Sequence, residues 1–197
     1  MRKDSKNVSD HDIWILNEDY SYFEYIASDM ELSKITLGEK SPYFETDVDQ
    51  KMSEIMEKNL KDNERKRPDI AIFGKEGAAI IIEFKSPGVS VDDHVGDLME
   101  YAQLLAAKSK GKLKQFYGYL IGTEVNANRL VGYTRFANNK GWFNTVKITE
   151  HQTNTQLGEL YSEILFYDDI ADRAAMKLDV YKRKLGLTLE TEAGTSV

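Results

Sequence analysis

The sequence predicts an α/β (α+β) chain, with a mixed central β-sheet and helices packed against it. Three observations carry this. Stretches with three- and four-residue apolar spacing alternate with short β-rich apolar runs. One helical stretch separates two such runs, as in the crossover between parallel strands. Finally, 41% of the 197 residues are apolar, enough to bury a core. No internal repeat, low-complexity tract or Gly/Pro-rich linker interrupts the chain, so a single domain over 1–197 is expected. Its core covers about 10–150, with a C-terminal helical region over 155–185 and tails at 1–9 and 187–197.

In chain order, residues 10–28 place Ile13, Leu16, Tyr20, Phe23 and Ala27 on one helical stripe, with Asp10 as N-cap. Residues 46–61 repeat the period through Val48, Met52, Ile55, Met56 and Leu60, and Thr46 with Asp49 resembles a capping box. Two apolar runs, Asp69–Phe73 and Ala78–Phe84, flank Gly74-Lys75-Glu76-Gly77 and read as a hairpin. Pro87-Gly88 stops the second strand. Ser90 then opens a helix over about 91–109, with Val95, Leu98, Met99, Ala102, Leu105 and Ala106 on its buried face. Residues 116–121 read as a strand parallel to one hairpin strand. Further strands are expected near 129–136 and 142–149, and helix over 156–184.

Composition excludes several classes of function. The chain has no Cys, so thiol nucleophiles and Cys-ligated zinc are ruled out. Its three scattered histidines (His11, His94, His151) are too few for a His-rich cage, so a metal site is expected to be made of oxygen, for Mg2+, Mn2+ or Ca2+. No apolar stretch approaches the roughly 18 residues of a membrane span, and the amino terminus lacks the apolar centre of a signal peptide; a cytoplasmic protein without membrane contact is expected. Neither a Walker-type phosphate loop nor a Gly-x-Ser-x-Gly elbow is present. With 26 Lys+Arg against 33 Asp+Glu the net charge is −7, which disfavours non-specific coating of nucleic acid but permits a locally basic groove.

The informative stretch is Pro68-Asp69 at the start of one predicted strand and Glu83-Phe84-Lys85 at the end of the next. Side chains alternate along a strand, so Glu83 and Lys85 share a face while Phe84 is expected to point into the core. Charges on so apolar a strand are costly unless paired or used. If Asp69 lies beside Glu83, the two carboxylates and the Phe84 carbonyl make an oxygen site for a hard divalent cation, with Lys85 next to it. Such a metal lowers the pKa of its water and polarises a phosphoryl oxygen, while the ammonium stabilises developing negative charge. Strand parity sets a condition. A strict two-residue turn at Lys75-Glu76 places Asp69 opposite Ile82 and Glu83 on the wrong face, so convergence requires an odd loop, a bulge or splayed strands. The bland alternative is a Glu83–Lys85 ion pair on a solvated edge.

Pro68-Asp69 followed by Glu83-Phe84-Lys85 resembles the signature of the PD-(D/E)xK nuclease superfamily. The runs Trp14-Ile15-Leu16-Asn17-Glu18 and Phe116-Tyr117-Gly118-Tyr119 further resemble nuclease-like domains attached to large bacterial ATPase-type proteins. The resemblance covers roughly residues 12–122. It implies a restriction-endonuclease-like αβββαβ core with extra C-terminal strands and helix. It also implies Mg2+-dependent hydrolysis of DNA phosphodiesters, with Mn2+ as a substitute, in bacterial defence or DNA processing. Asp69, Glu83 and the Phe84 carbonyl would hold metal, and Asp69, Glu83 and Lys85 would be catalytic. Glu18 would complete the site, with Glu54 a rival, and Tyr101 and Gln103 would be auxiliary. Lys66 and Arg67 before Asp69, and Lys108, Lys110 and Lys112 after the third helix, are the candidates for gripping a nucleic-acid backbone. His94, near the start of that helix, is read as a surface histidine outside the metal set. A homodimer or an ATPase-type partner fits these expectations. The rival reading is a catalytically silent nucleic-acid-binding or partner-docking module of the same fold.

Overall fold

A computed structural model describes residues 25–26, 31–58, 68–73, 76–137, 139–150 and 153–186. The chain divides into two compact units, residues 22–167 and residues 1–21 together with 168–197. The first unit is mixed α/β. In chain order it holds β1 (Tyr25–Ile26), α1 (Val48–Lys58), β2 (Asp69–Phe73), β3 (Ala78–Phe84), α2 (Val95–Lys108), β4 (Gln115–Gly122), β5 (Thr134–Arg135), β6 (Trp142–Thr149) and β7 (Gln156–Phe166). The second contains α3 (Tyr167–Lys184) from its second residue on. Asp168 and Asp169 in the first turn of α3, and Lys182, Arg183 and Lys184 in its last, complement the helix dipole.

The strands form one mixed sheet in the order β1-β2-β3-β4-β7-β6-β5. Strands β3, β4 and β7 run parallel, and the remaining pairs are antiparallel. Ile70 and Ile72 of β2, Ala79 and Ile81 of β3, Phe116 and Leu120 of β4, and Leu160 and Ile164 of β7 join the core with Val48 and Met52 of α1 and Leu98, Ala102 and Leu105 of α2. Their alternation follows the pleat: the same face of β3 continues from Ala79 and Ile81 to Glu83. Gly118 on β4 lets α2 approach, since a Cβ there would lie 2.9 Å from Leu98 Cδ1.

The hairpin strands fall at their expected residues, and β3 is parallel to β4 as expected of a helical crossover. The third helix begins with a 3₁₀ turn, Val91–His94, before α2. Three expectations are corrected. Residues 156–166 form strand β7, not helix; Leu157, Leu160, Tyr161, Ile164 and Leu165 fall at helical spacing. The burial itself alternates, with Gly158, Leu160, Ser162 and Ile164 inside, but two of those positions are not large apolar residues and so leave no alternating signal in the sequence. The strand expected over 129–136 shrinks to Thr134–Arg135, following a 3₁₀ turn at Ala127–Arg129. The helix expected over 10–28 lies outside the described residues except for Tyr25 and Ile26, which pair with Ile72 and Ala71 as an antiparallel edge strand.

Candidate metal centre

Glu83, Phe84 and Lys85 lie at the carboxyl end of β3, beside the carboxyl ends of the parallel strands β4 and β7. Ligands of open α/β sheets bind outside this end of parallel strands. Glu83 is 8% exposed. Its Oε1 accepts from Lys85 Nζ at 2.6 Å, and the lysine side chain is only 14% exposed, so this is a buried pair and not a solvated edge contact. Burial pushes the Glu83 carboxyl above its ordinary value, and the ammonium of Lys85 opposes that rise. Its other oxygen, Oε2, is buried and finds no hydrogen-bond partner among the described residues.

The side chains beside Glu83 come from the start of α2. His94 is buried at the N-cap and Asp97 is buried in the first turn, where the helix dipole favours negative charge. Three residues apart, they share a helix face, and His94 Nδ1 lies 2.8 Å from Asp97 Oδ2. With Nδ1 engaged by Asp97, the second ring nitrogen, Nε2, is the one left for another partner. Ligand atoms of Glu83, His94 and Asp97 all lie within 4.8 Å of one another.

A hydrogen-bonded staple fixes the turn that delivers His94. Asp92, with a fully buried side chain, accepts from the Asn126 N–H at 2.8 Å and from the Ser90 hydroxyl, and pairs with Arg129 at 3.0 Å. Arg129 also reaches Asp93. Burial alone would raise the Asp92 pKa, but these donors outweigh it and hold the carboxyl below its ordinary value. Gly122 makes room for the turn: a Cβ there would sit 2.4 Å from Val91 Cγ1.

The expected metal set is only partly assembled. Asp69 pairs with Ile82, so the pleat sends Asp69 and Glu83 to opposite faces of the hairpin. Phe73 pairs with Ala78 across an even number of residues, and the hairpin register is continuous from there to Asp69, without the bulge that convergence requires. Phe84 does not point into the core; it is 53% exposed at the strand end. Tyr101, one turn after Asp97, is 3% exposed. Burial, together with the charges of Glu83, Asp97 and Glu100, pushes its hydroxyl pKa up. Gln103 is half-buried and lies about 200° round the helix from Tyr101. Glu54 is on the surface, paired with Lys51 at 2.8 Å, and Glu18 lies outside the described residues.

The lysines after α2 are already engaged. Lys108 pairs with Glu45 at 2.7 Å and Asp47 at 2.8 Å, Lys110 donates to the Pro42 carbonyl at 2.9 Å, and Lys112 pairs with Glu39. They fasten the segment before α1 at the far end of α2, about 16 Å along the axis from Asp97. Lys66 and Arg67 lie outside the described residues.

Sequence reasoning placed His94 on the surface and passed over Asp97. The signal available was a His-x-x-Asp spacing in the first turn of the helix that follows the Glu-x-Lys strand, with both residues on one face. In comparisons with family models, curated proteins and solved structures, nothing matches this chain.

Proposed function

We propose that Glu83, His94 and Asp97 hold a divalent cation and that the protein is a metal-dependent phosphodiester hydrolase acting on nucleic acid, with Lys85 beside the reacting centre. The observation that carries this reading is the buried, unpartnered Oε2 of Glu83, gathered with an imidazole and a second carboxylate within 4.8 Å. A desolvated carboxylate oxygen without a donor is costly, and a cation supplies what it lacks. One imidazole and two carboxylates suit a cation on the softer side of Mg2+, making Mn2+ the better fit of the two. When bound, such an ion polarises the phosphoryl oxygen and activates water. The chain's own groups do the rest. Lys85 stabilises charge developing on the phosphoryl group, and Asp97 orients the His94 ring. The resemblance of Pro68-Asp69 and Glu83-Phe84-Lys85 to the PD-(D/E)xK pattern supports DNA as the substrate and a dimer or ATPase-type partner as context.

The second reading, a catalytically silent docking module, is favoured by one observation: Asp69 is out of phase with Glu83. Incubation with supercoiled plasmid and with single-stranded circular DNA, in Mg2+ or Mn2+, separates the two. Cleavage abolished by chelator, by Lys85→Ala and by His94→Ala supports the hydrolase. Metal binding that depends on Glu83 and Asp97 without cleavage of either DNA supports the module.

A further inference from the structure

Strand β3 is buried or half-buried until Phe84, the one aromatic among the exposed large apolar side chains of the described residues. A lone exposed apolar side chain is ordinary; two further facts make this one informative. Its ring lies nearly parallel to that of Tyr167, with centroids 6.4 Å apart and 11° between planes. The Tyr167 hydroxyl donates to the Lys85 carbonyl at 2.9 Å, so the second ring is tied to the backbone of the candidate centre. Phe84 itself stands between Glu83 and Lys85 in the chain, its side chain on the opposite face of the strand from theirs.

We propose that Phe84, backed by Tyr167, is a stacking platform for an unpaired base of the substrate, which makes single-stranded nucleic acid the substrate class. The inference rests on the hydrolase reading and narrows it. The exposed π-face of Phe84 offers no donor or acceptor, so it selects flat rings without reading their edges, as the aromatic platforms of single-strand binders do. A base within a duplex is stacked on its neighbours on both sides, and only an unpaired or extruded base presents a face. The ring projects from the opposite side of the strand to Glu83 and Lys85, so the platform holds the base at the strand end that carries the centre, not on its charged face. Because the second ring is fastened before substrate arrives, little side-chain freedom remains to be lost on binding.

The test is anisotropy titration of a dye-labelled single strand of about 12 nucleotides, a length within one single-strand site. The same strand is also tested as a duplex and with its bases removed, all in chelator so that nothing is cleaved. Phe84→Leu keeps an apolar side chain at an exposed position, and Phe84→Trp keeps a ring. The proposal expects tighter binding of the single strand than of the duplex. It also expects at least about 10-fold weaker binding by Phe84→Leu, near-native binding by Phe84→Trp, and no difference between native and Phe84→Leu on the abasic strand. It is overturned if native protein binds none of these oligonucleotides, if Phe84→Leu binds the single strand as tightly as native, or if the loss persists on the abasic strand. DNA cleavage lost in Lys85→Ala is scored separately. Cleavage without the Phe84 effect keeps the hydrolase and removes the platform, and the Phe84 effect without cleavage does the reverse.

Discussion

Replacing Lys85 by Met tests whether the Glu83–Lys85 pair belongs to the interior or to a wet edge, because the two cases differ severalfold in energy. A solvent-exposed pair is worth about 0–1 kcal/mol, whereas removing one partner of a buried pair costs about 3–5 kcal/mol. With side chains 14% and 9% exposed, this pair belongs to the second class. Methionine fills most of the lysine stem's volume, so the cost comes from stranding the carboxylate and not from a cavity. Glu83 can escape part of it by taking up a proton, which puts the expected loss near about 3 kcal/mol at pH 8. The sign of the pH dependence follows. Burial already holds the folded Glu83 pKa above the ordinary 4.5, and without Lys85 it rises further. The folded state then binds more protons than the unfolded state between those two values, so stability falls as pH rises through that window. The penalty of Lys85→Met is therefore smallest below the ordinary carboxylate range and largest above the folded pKa. Urea unfolding of native protein, both single variants and Glu83→Gln/Lys85→Met between pH 4 and 8 gives the coupling directly. A cost under 1 kcal/mol at pH 8, or one that does not shrink on acidification, refutes the buried-pair reasoning.

Mn2+ at a hundred times its dissociation constant should stabilise the protein by about 2.7 kcal/mol in thermal unfolding. The effect should grow with pH, because the proton on Glu83 competes with the ion, and should vanish in Glu83→Gln. Arg129→Ala leaves Asp92 its Asn126 and Ser90 donors but removes its charged partner, and should lower the urea midpoint; an unchanged midpoint would show that the staple does not depend on the ion pair. Gly158→Ala should destabilise more than Gly118→Ala within the roughly 1–3 kcal/mol of overpacking. Its Cβ would meet the Lys114 carbonyl at 2.5 Å, whereas the Cβ at 118 meets leucine methyls that can turn aside. The opposite order in urea midpoints would refute that comparison.

The parts of the fold legible in the sequence were those where one local signal stood alone. The hairpin strands, both apolar and bounded by glycines, were recovered with their ends, and the crossover from β3 through α2 to β4 was recovered with its direction. Strand β7 was not, because its buried face includes Gly158 and Ser162 while its less buried face carries Leu157 and Tyr161, so the apolar residues do not alternate even though the burial does. At the site, strand parity put Glu83 and Lys85 together, since that depends only on the two-residue period. What joined them depended on register and on a turn. The hairpin register removed Asp69 from that face, and the Asp92 staple brought His94 and Asp97 into it. The first was legible as a condition, since an even loop between the hairpin strands already sets Asp69 opposite Ile82. The second is a contact across 34 residues of chain, and no short window of sequence contains it.

The same geometry bears on what the charges are for. On the face of β3 that packs against α2, Ala79 and Ile81 are fully buried apolar residues, and the next position outward is a carboxylate. Buried ion pairs are often no more stabilising than apolar side chains of the same size, so stability alone does not account for Glu83 and Lys85 here. Nor does pairing complete the account, because Lys85 satisfies Oε1 and Oε2 remains without a donor. Local rules broken in one place and kept around it mark a functional site more often than a structural one. Glu83 and Asp97 are carboxyl groups buried beside one imidazole, and Lys85 is already engaged with Glu83 Oε1. The divalent ion proposed above would give Oε2 the partner it lacks. That makes the metal titration of Glu83→Gln the sharpest single test of why this polar group is buried.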